Sequence, residues 1–110
     1  MLTPETVRAL ALSLPETDEH GHWGRPAFRV RKKIFATVFP DEQRAVLKLP
    51  LAEQARLAAL DPVTFAPVPN RWGAQGWTGV QFDNSNEAEF SEFLKTAWRT
   101  VAPPNLALSG

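Results

Sequence analysis

Apolar residues recur at helical spacing near both ends of the chain and alternate with polar ones in between. Val7, Leu10, Ala11 and Leu14 fall at i, i+3, i+4 and i+7, one face of a helix. Thr3-Pro4-Glu5 supplies its start: a hydroxyl cap, proline in the first turn and an acid beside the positive end of the helix dipole. Pro15 ends it. The strongest periodicity is Phe90, Phe93, Leu94, Ala97 and Val101. Asn84-Ser85-Asn86 caps that helix, Glu87 or Glu89 is placed for a capping box, and Pro103-Pro104 stops it, leaving 105–110 as a frayed tail. A third helix starts at Leu49-Pro50-Leu51 and stops at Asp61-Pro62.

Strand signals fill the middle. Residues 25–31 alternate Phe28 and Val30 with Arg29 and Arg31, a half-buried strand with a cationic outer face. Residues 34–39 and 45–49 read as the next two strands of a meander, with Lys32-Lys33 at the first reversal. Residues 63–69 hold a short edge strand at most, because Pro67 and Pro69 donate no backbone hydrogen bond. Residues 76–82 form the last strand, and 16–24 read as a polar loop. The order is α-β(3)-α-β(2)-α. Without strict βαβ alternation this predicts an α+β fold: a two-layer, mostly antiparallel five-stranded sheet with helices packed on it. Neither repeat nor linker interrupts the 110 residues, so 1–110 is expected to be a single domain.

Composition narrows the function classes. Twelve Lys+Arg balance twelve Asp+Glu, which excludes a globally basic nucleic-acid binder and a disordered polyelectrolyte. The absence of cysteine excludes a disulfide scaffold, thiolate metal sites and thiol catalysis, and fits a cytoplasmic location. No apolar run approaches the roughly 20 residues that span a bilayer, and no secretory signal pattern opens the chain.

The neutral total hides an asymmetry. Arg25, Arg29, Arg31, Lys32 and Lys33 lie between His20 and Pro40 with no carboxylate among them. Arg44 and Lys48 follow, offset by Asp41 and Glu42, while acids gather at Glu16, Asp18 and Glu19 and on the last helix. A local positive lobe of this kind grips phosphates. Outward charge is also what any half-buried strand carries, and edge lysines block aggregation. Tryptophan is the second asymmetry: four Trp and no Tyr. Trp98 is expected at the core rim. Trp23, Trp72 and Trp77 sit in or beside glycine-containing loops, where an indole either closes the core or stacks on a flat ligand.

Catalytic and metal chemistry finds little support. Asp18, Glu19, His20 and His22 have metal-ligand chemistry, but no matching ligand set lies elsewhere, so a solvated loop is the expectation. The serines lack a nucleophile-elbow context, and Gly73-Ala74-Gln75-Gly76 lacks the lysine and hydroxyl of a phosphate loop. No cofactor is expected.

The chain resembles the MmcQ/YjbR family. The resemblance is carried by Leu14-Pro15-Glu16, Trp23-Gly24-Arg25-Pro26-Ala27-Phe28 and Lys33-Ile34-Phe35-Ala36. It continues with Leu47-Lys48-Leu49 before a helix, Pro69-Asn70 leading to Gly76-Trp77, and the terminal amphipathic helix. It implies an α-β(3)-α-β(2)-α fold similar to type III secretion chaperones, frataxin-like proteins and a phage double-wing domain, and it implies DNA binding. The residues matching the family pattern are Trp23, Lys33, Phe35, Lys48, Asn70 and Trp77, with Phe35 expected in the core. The resulting expectation is a non-enzymatic DNA-binding domain, monomeric or weakly dimeric. Its candidate contact residues are Arg25, Arg29, Arg31, Lys32, Lys33, Lys48, Asn70, Arg71, Trp72 and Trp77. The alternatives are a protein-interaction or chaperone-like domain and a small anionic-ligand site lined by Trp72, Trp77 and arginines.

Overall fold

The structure, a computed structural model, describes residues 2–22 and 24–106. Its elements are α1 (Pro4–Leu12), β1 (Thr17–His22), β2 (Arg25–Val30), β3 (Lys33–Phe39), β4 (Arg44–Lys48), α2 (Leu51–Leu60), β5 (Phe65–Pro67), α3 (Arg71–Ala74), β6 (Trp77–Gln81) and α4 (Glu87–Val101). The helix starts follow from their caps. Thr3 Oγ1 accepts the Thr6 N–H at 3.2 Å, and Asn86 Oδ1 accepts the Glu89 N–H at 2.8 Å. Of the two acids predicted for a capping box, Glu89 is the one that reaches back, its Oε1 accepting from Asn86 Nδ2 at 3.0 Å.

The sheet has six strands in the order β1-β2-β3-β4-β6-β5, every neighbouring pair antiparallel. The expected five-stranded sheet is corrected by β1, which occupies the stretch expected to be a polar loop. Its sequence Thr-Asp-Glu-His-Gly-His carries no apolar alternation. An edge strand needs none, because backbone pairing and cross-strand ion pairs hold it to β2. The opposite edge is β5, three residues long and closed by Pro67, as its prolines demand.

One face of the sheet makes the core. Phe28, Val30, Ala36, Val38, Ala45, Leu47, Val80 and Phe82 pack against Val7 and Ala11 of α1, Leu57 of α2, and Phe90, Leu94 and Ala97 of α4, all buried. Full burial of each of the larger side chains contributes about 1.5–3 kcal/mol. Trp98 lies fully inside rather than at the rim, at 1% exposure. Burial of an indole demands a partner for its N–H, and Nε1 donates to the Pro15 carbonyl at 3.0 Å, tying α4 to the end of α1. Leu106, inside the stretch expected to be a tail, packs against the core, and 107–110 lie outside the described residues.

A bulge sets the sidedness of β3. The register runs Ala27↔Thr37 and Phe28↔Ala36, then shifts to Arg29↔Ile34 and Val30↔Lys33. One extra residue in β3 thus turns Phe35 and Ala36 to the core together, both fully buried, and Ile34, Thr37 and Phe39 to the other face.

Candidate functional site

That second face is crossed by none of the described helices. Strand register assigns it Arg25, Ala27 and Arg29 from β2, Ile34, Thr37 and Phe39 from β3, Arg44, Val46 and Lys48 from β4, and Trp77, Gly79 and Gln81 from β6. Its middle row is small (Ala27, Thr37, Val46, Gly79, Ala66 across five strands), while larger side chains stand at both ends. The result is a depression of about 450 Å³ with Thr37 and Val46 between the two ends. Arg25, Phe39 and Arg44 stand at one end, and Ile34, Val68, Trp72 and Trp77 complete the lining.

The cationic end is a stack. The guanidinium carbon of Arg25 lies 4.3 Å from the centroid of the Phe39 ring, and that of Arg44 lies 4.4 Å from it. Each such contact at a partly exposed site is worth about 0.5–1 kcal/mol and fixes the guanidinium plane. Arg44 Nε also donates to Glu42 Oε1 at 2.8 Å, so half of this positive charge is already answered. Arg25 differs. Among the described residues no carboxylate pairs with it, and its Nε is buried without a hydrogen-bond partner.

The aromatic end is held from behind. Gly76 adopts φ +104°, and a Cβ there would meet the Leu49 carbonyl oxygen at 2.1 Å, so only glycine lets the chain turn from α3 into β6 at this closeness. Buried Gln54 of α2 braces the same turn. Its Nε2 approaches the Gly73 carbonyl at 3.0 Å, the Trp77 carbonyl at 3.2 Å and the Thr78 hydroxyl at 3.0 Å. Asn70, just before α3, sits at φ 72° and ψ −160°, a region that only glycine visits without strain. Beyond it Trp72 is 56% exposed and Trp77 is half-buried.

The predicted contact residues therefore divide. Arg25, Trp72 and Trp77 share the depression. Lys48 lies beside it, in register with Trp77. Arg29 and Arg31 are held by carboxylates. Arg29 Nε donates to Asp18 at 3.0 Å, and Arg31 donates through Nε and Nη2 to Glu16 at 2.9 and 3.1 Å. The Arg31 guanidinium holds the Glu16 carboxyl below the usual carboxylate range. Lys32 and Lys33 are exposed at the β2–β3 turn, and Lys33 is in register with Val30, on the core side of the sheet. Asn70 and Arg71 are exposed next to Trp72. Trp23 lies outside the described residues.

Phe39 and Arg44 were absent from the predicted set. Their signal was the short reversal between two strands, which sets Phe39 opposite Arg44 in the register. Of the residues with metal-ligand chemistry, Glu19 turns to the helix side and pairs with Arg8 at 2.5 Å, and among the described residues no group of three metal-ligating side chains converges. Among the described residues no helix is long and apolar enough to cross a membrane.

Chemically, the face offers a planar apolar slot with fixed cations at one end. Guanidiniums stay protonated at any ordinary pH, so these two arginines hold a fixed positive charge at that end.

Comparison with known proteins agrees with this architecture. A search of curated proteins returned no match. The crystal structure of Deinococcus radiodurans protein DR2400, a DUF419 domain, superimposes with a TM-score of 0.82 at 19% identity, covering 97% of this chain and 83% of that one. That likeness shows a shared fold. Residues 12–100 match the family model described as YjbR, and with most of its length so matched the chain belongs to the YjbR (MmcQ/YjbR) family.

Proposed function

We propose that this chain is a binding domain that holds an organic anion on the open face of its sheet. One observation carries the reading: two arginines are stacked on Phe39 at one end of a depression of about 450 Å³ that also contains two indoles. The volume falls within the roughly 300–1,000 Å³ of small-molecule sites, and such sites combine apolar walls with a few placed polar groups in this manner. Among the described residues the lining contains no carboxylate and no imidazole, which favours binding over catalysis. The test is a thermal-shift panel of aromatic and aliphatic anions, each beside its neutral analogue, followed by amide chemical-shift mapping. Anions that raise the melting temperature and shift β3, β4 and β6 signals support the reading by mass action. A panel in which no anion outperforms its neutral analogue overturns it.

DNA binding is the second reading, favoured by Lys32, Lys33, Lys48 and Arg71, which have no carboxylate partner among the described residues. Phosphate contacts by these groups predict affinity for a fluorescent duplex that falls steeply with salt. No binding near about 50 mM salt, where such contacts are strong, would end this reading.

A further inference from the structure

We infer that the open face is built for a compact, planar monoanion, an aromatic carboxylate, whose carboxylate pairs with the Arg25 guanidinium while its ring lies along Trp72 and Trp77. This rests on the anion-binding reading above and deepens it to a ligand class.

Three observations on different atoms converge. The first is Arg25, a half-buried guanidinium lining the depression that no carboxylate pairs with among the described residues. A half-buried charge without a counter-ion is costly, and an anion supplied from outside the chain answers it. The guanidinium is held against Phe39, so it presents a preset edge to that anion. An edge of this kind suits the two coplanar oxygens of a carboxylate.

The second is the charge count. Arg25 and Arg44 bring two positive charges to this end, and Glu42 cancels one through its bond to Arg44. One net charge remains at this end, Lys48 standing at the opposite end beside Trp77, and it matches one negative charge on the ligand. A phosphate monoester close to dianionic at neutral pH would leave a charge unanswered in a half-buried site, an unfavourable balance.

The third is the shape of the lining. The middle row of the sheet is small while Trp72, Trp77, Ile34 and Val68 rise at the sides, leaving room for a flat apolar body along the sheet. Aromatic faces favour stacking on such a body whatever its substituents.

The test is isothermal titration of the full chain with 2-naphthoate, its neutral isostere 2-naphthamide, and adenosine 5′-monophosphate. Arg25→Met and Trp72→Ala are titrated in parallel, and each variant is checked by its amide spectrum for an intact fold. We expect naphthoate to bind, naphthamide and the Arg25→Met variant to lose on the order of tenfold or more, as loss of a charged hydrogen bond dictates, and the monophosphate to bind more weakly than naphthoate. Arg25→Lys, which keeps the charge but not the fork, should recover only part of the affinity. Equal binding of naphthoate and naphthamide, or full binding by a folded Arg25→Met, overturns the inference. Preference for the monophosphate, with signals still mapping to β3, β4 and β6, overturns the carboxylate assignment while the broader anion reading stands. Absence of binding by every anion brings down both.

Discussion

The guanidinium of Arg44 lies against the bare backbone of Gly79: a Cβ built on that glycine would stand 3.2 Å from Arg44 Nη1. The cation can rest there only because β6 has no side chain at that point. The Gly79→Ala variant should fold, because the crowded atom is the far end of a flexible side chain and the other near contact, the Ala66 carbonyl oxygen at 3.5 Å, is ordinary. Stability should change by no more than about 0.5 kcal/mol. Affinity for an anion should fall several-fold as Arg44 is pushed off the sheet, measured by titration. Unaltered affinity would remove Arg44 from the binding account.

Gln54 fastens α2 to the backbone behind Trp77. Truncation to alanine removes this donor from the Thr78 hydroxyl and from two carbonyls that each keep a backbone N–H, and should cost about 1–2 kcal/mol. The loss should be local as well as global. Hydrogen exchange is expected to quicken across residues 70–78 before it quickens in α4, and uniform quickening would contradict a bracing role.

Asn70 presents a separable case. Substitution by glycine relieves its backbone conformation and should raise stability by about 1 kcal/mol, read as a higher denaturation midpoint. Lys32, at φ 72° in the β2–β3 turn, predicts the same gain for Lys32→Gly. That variant also removes one of the cations on which DNA binding would depend, so a drop in the salt slope of DNA affinity would tie the hairpin to phosphate.

Trp98→Phe keeps a ring in the core but leaves the Pro15 carbonyl only the 3.4 Å bond from the Thr17 hydroxyl. The combined loss of the bond and of packed volume should lower stability by about 1–3 kcal/mol, equivalent to roughly 4–12 °C in melting temperature for a domain near this size.

Glu16 carries a pH prediction. Its carboxyl is depressed by the Arg31 guanidinium, so ionised Glu16 supports the fold above the unfolded-chain value, and that support fades as pH falls through the depressed value. Glu16→Gln should therefore be less stable than the parent at neutral pH, and the difference should close in acid below the ordinary carboxylate range. Both residues are solvent-exposed, so the effect is small, and denaturant titrations of the two proteins in parallel will resolve it.

Much of this architecture is written in local pattern. Phe90 to Val101 announce α4 because a helix facing a core must repeat every three to four residues. Alternation at Phe28 and Val30 marks β2 for the corresponding reason. What stayed hidden was β1, whose residues face solvent and partners instead of a core. With β1 read as a loop, nothing indicated that Asp18 and Glu16 would meet Arg29 and Arg31 across strands, so a run of cations looked uncommitted. The stacking of Arg25 and Arg44 on Phe39 was hidden for a similar reason: it joins residues 14 and 5 positions away from Phe39 in sequence through strand register alone. Arg25, Trp72 and Trp77 were recognisable as candidates by residue type, while their convergence is a product of the sheet.

The bulge at Phe35 carries a constraint on length as well as on identity. Deleting a single residue there would return β3 to strict alternation. Either Ile34 would then trade places with its neighbour, or Thr37 and Phe39 would be driven inward and Ala36 and Val38 outward. Core face and open face would exchange along half the strand. Domains built on this bulge should tolerate many substitutions in β3 but few insertions or deletions.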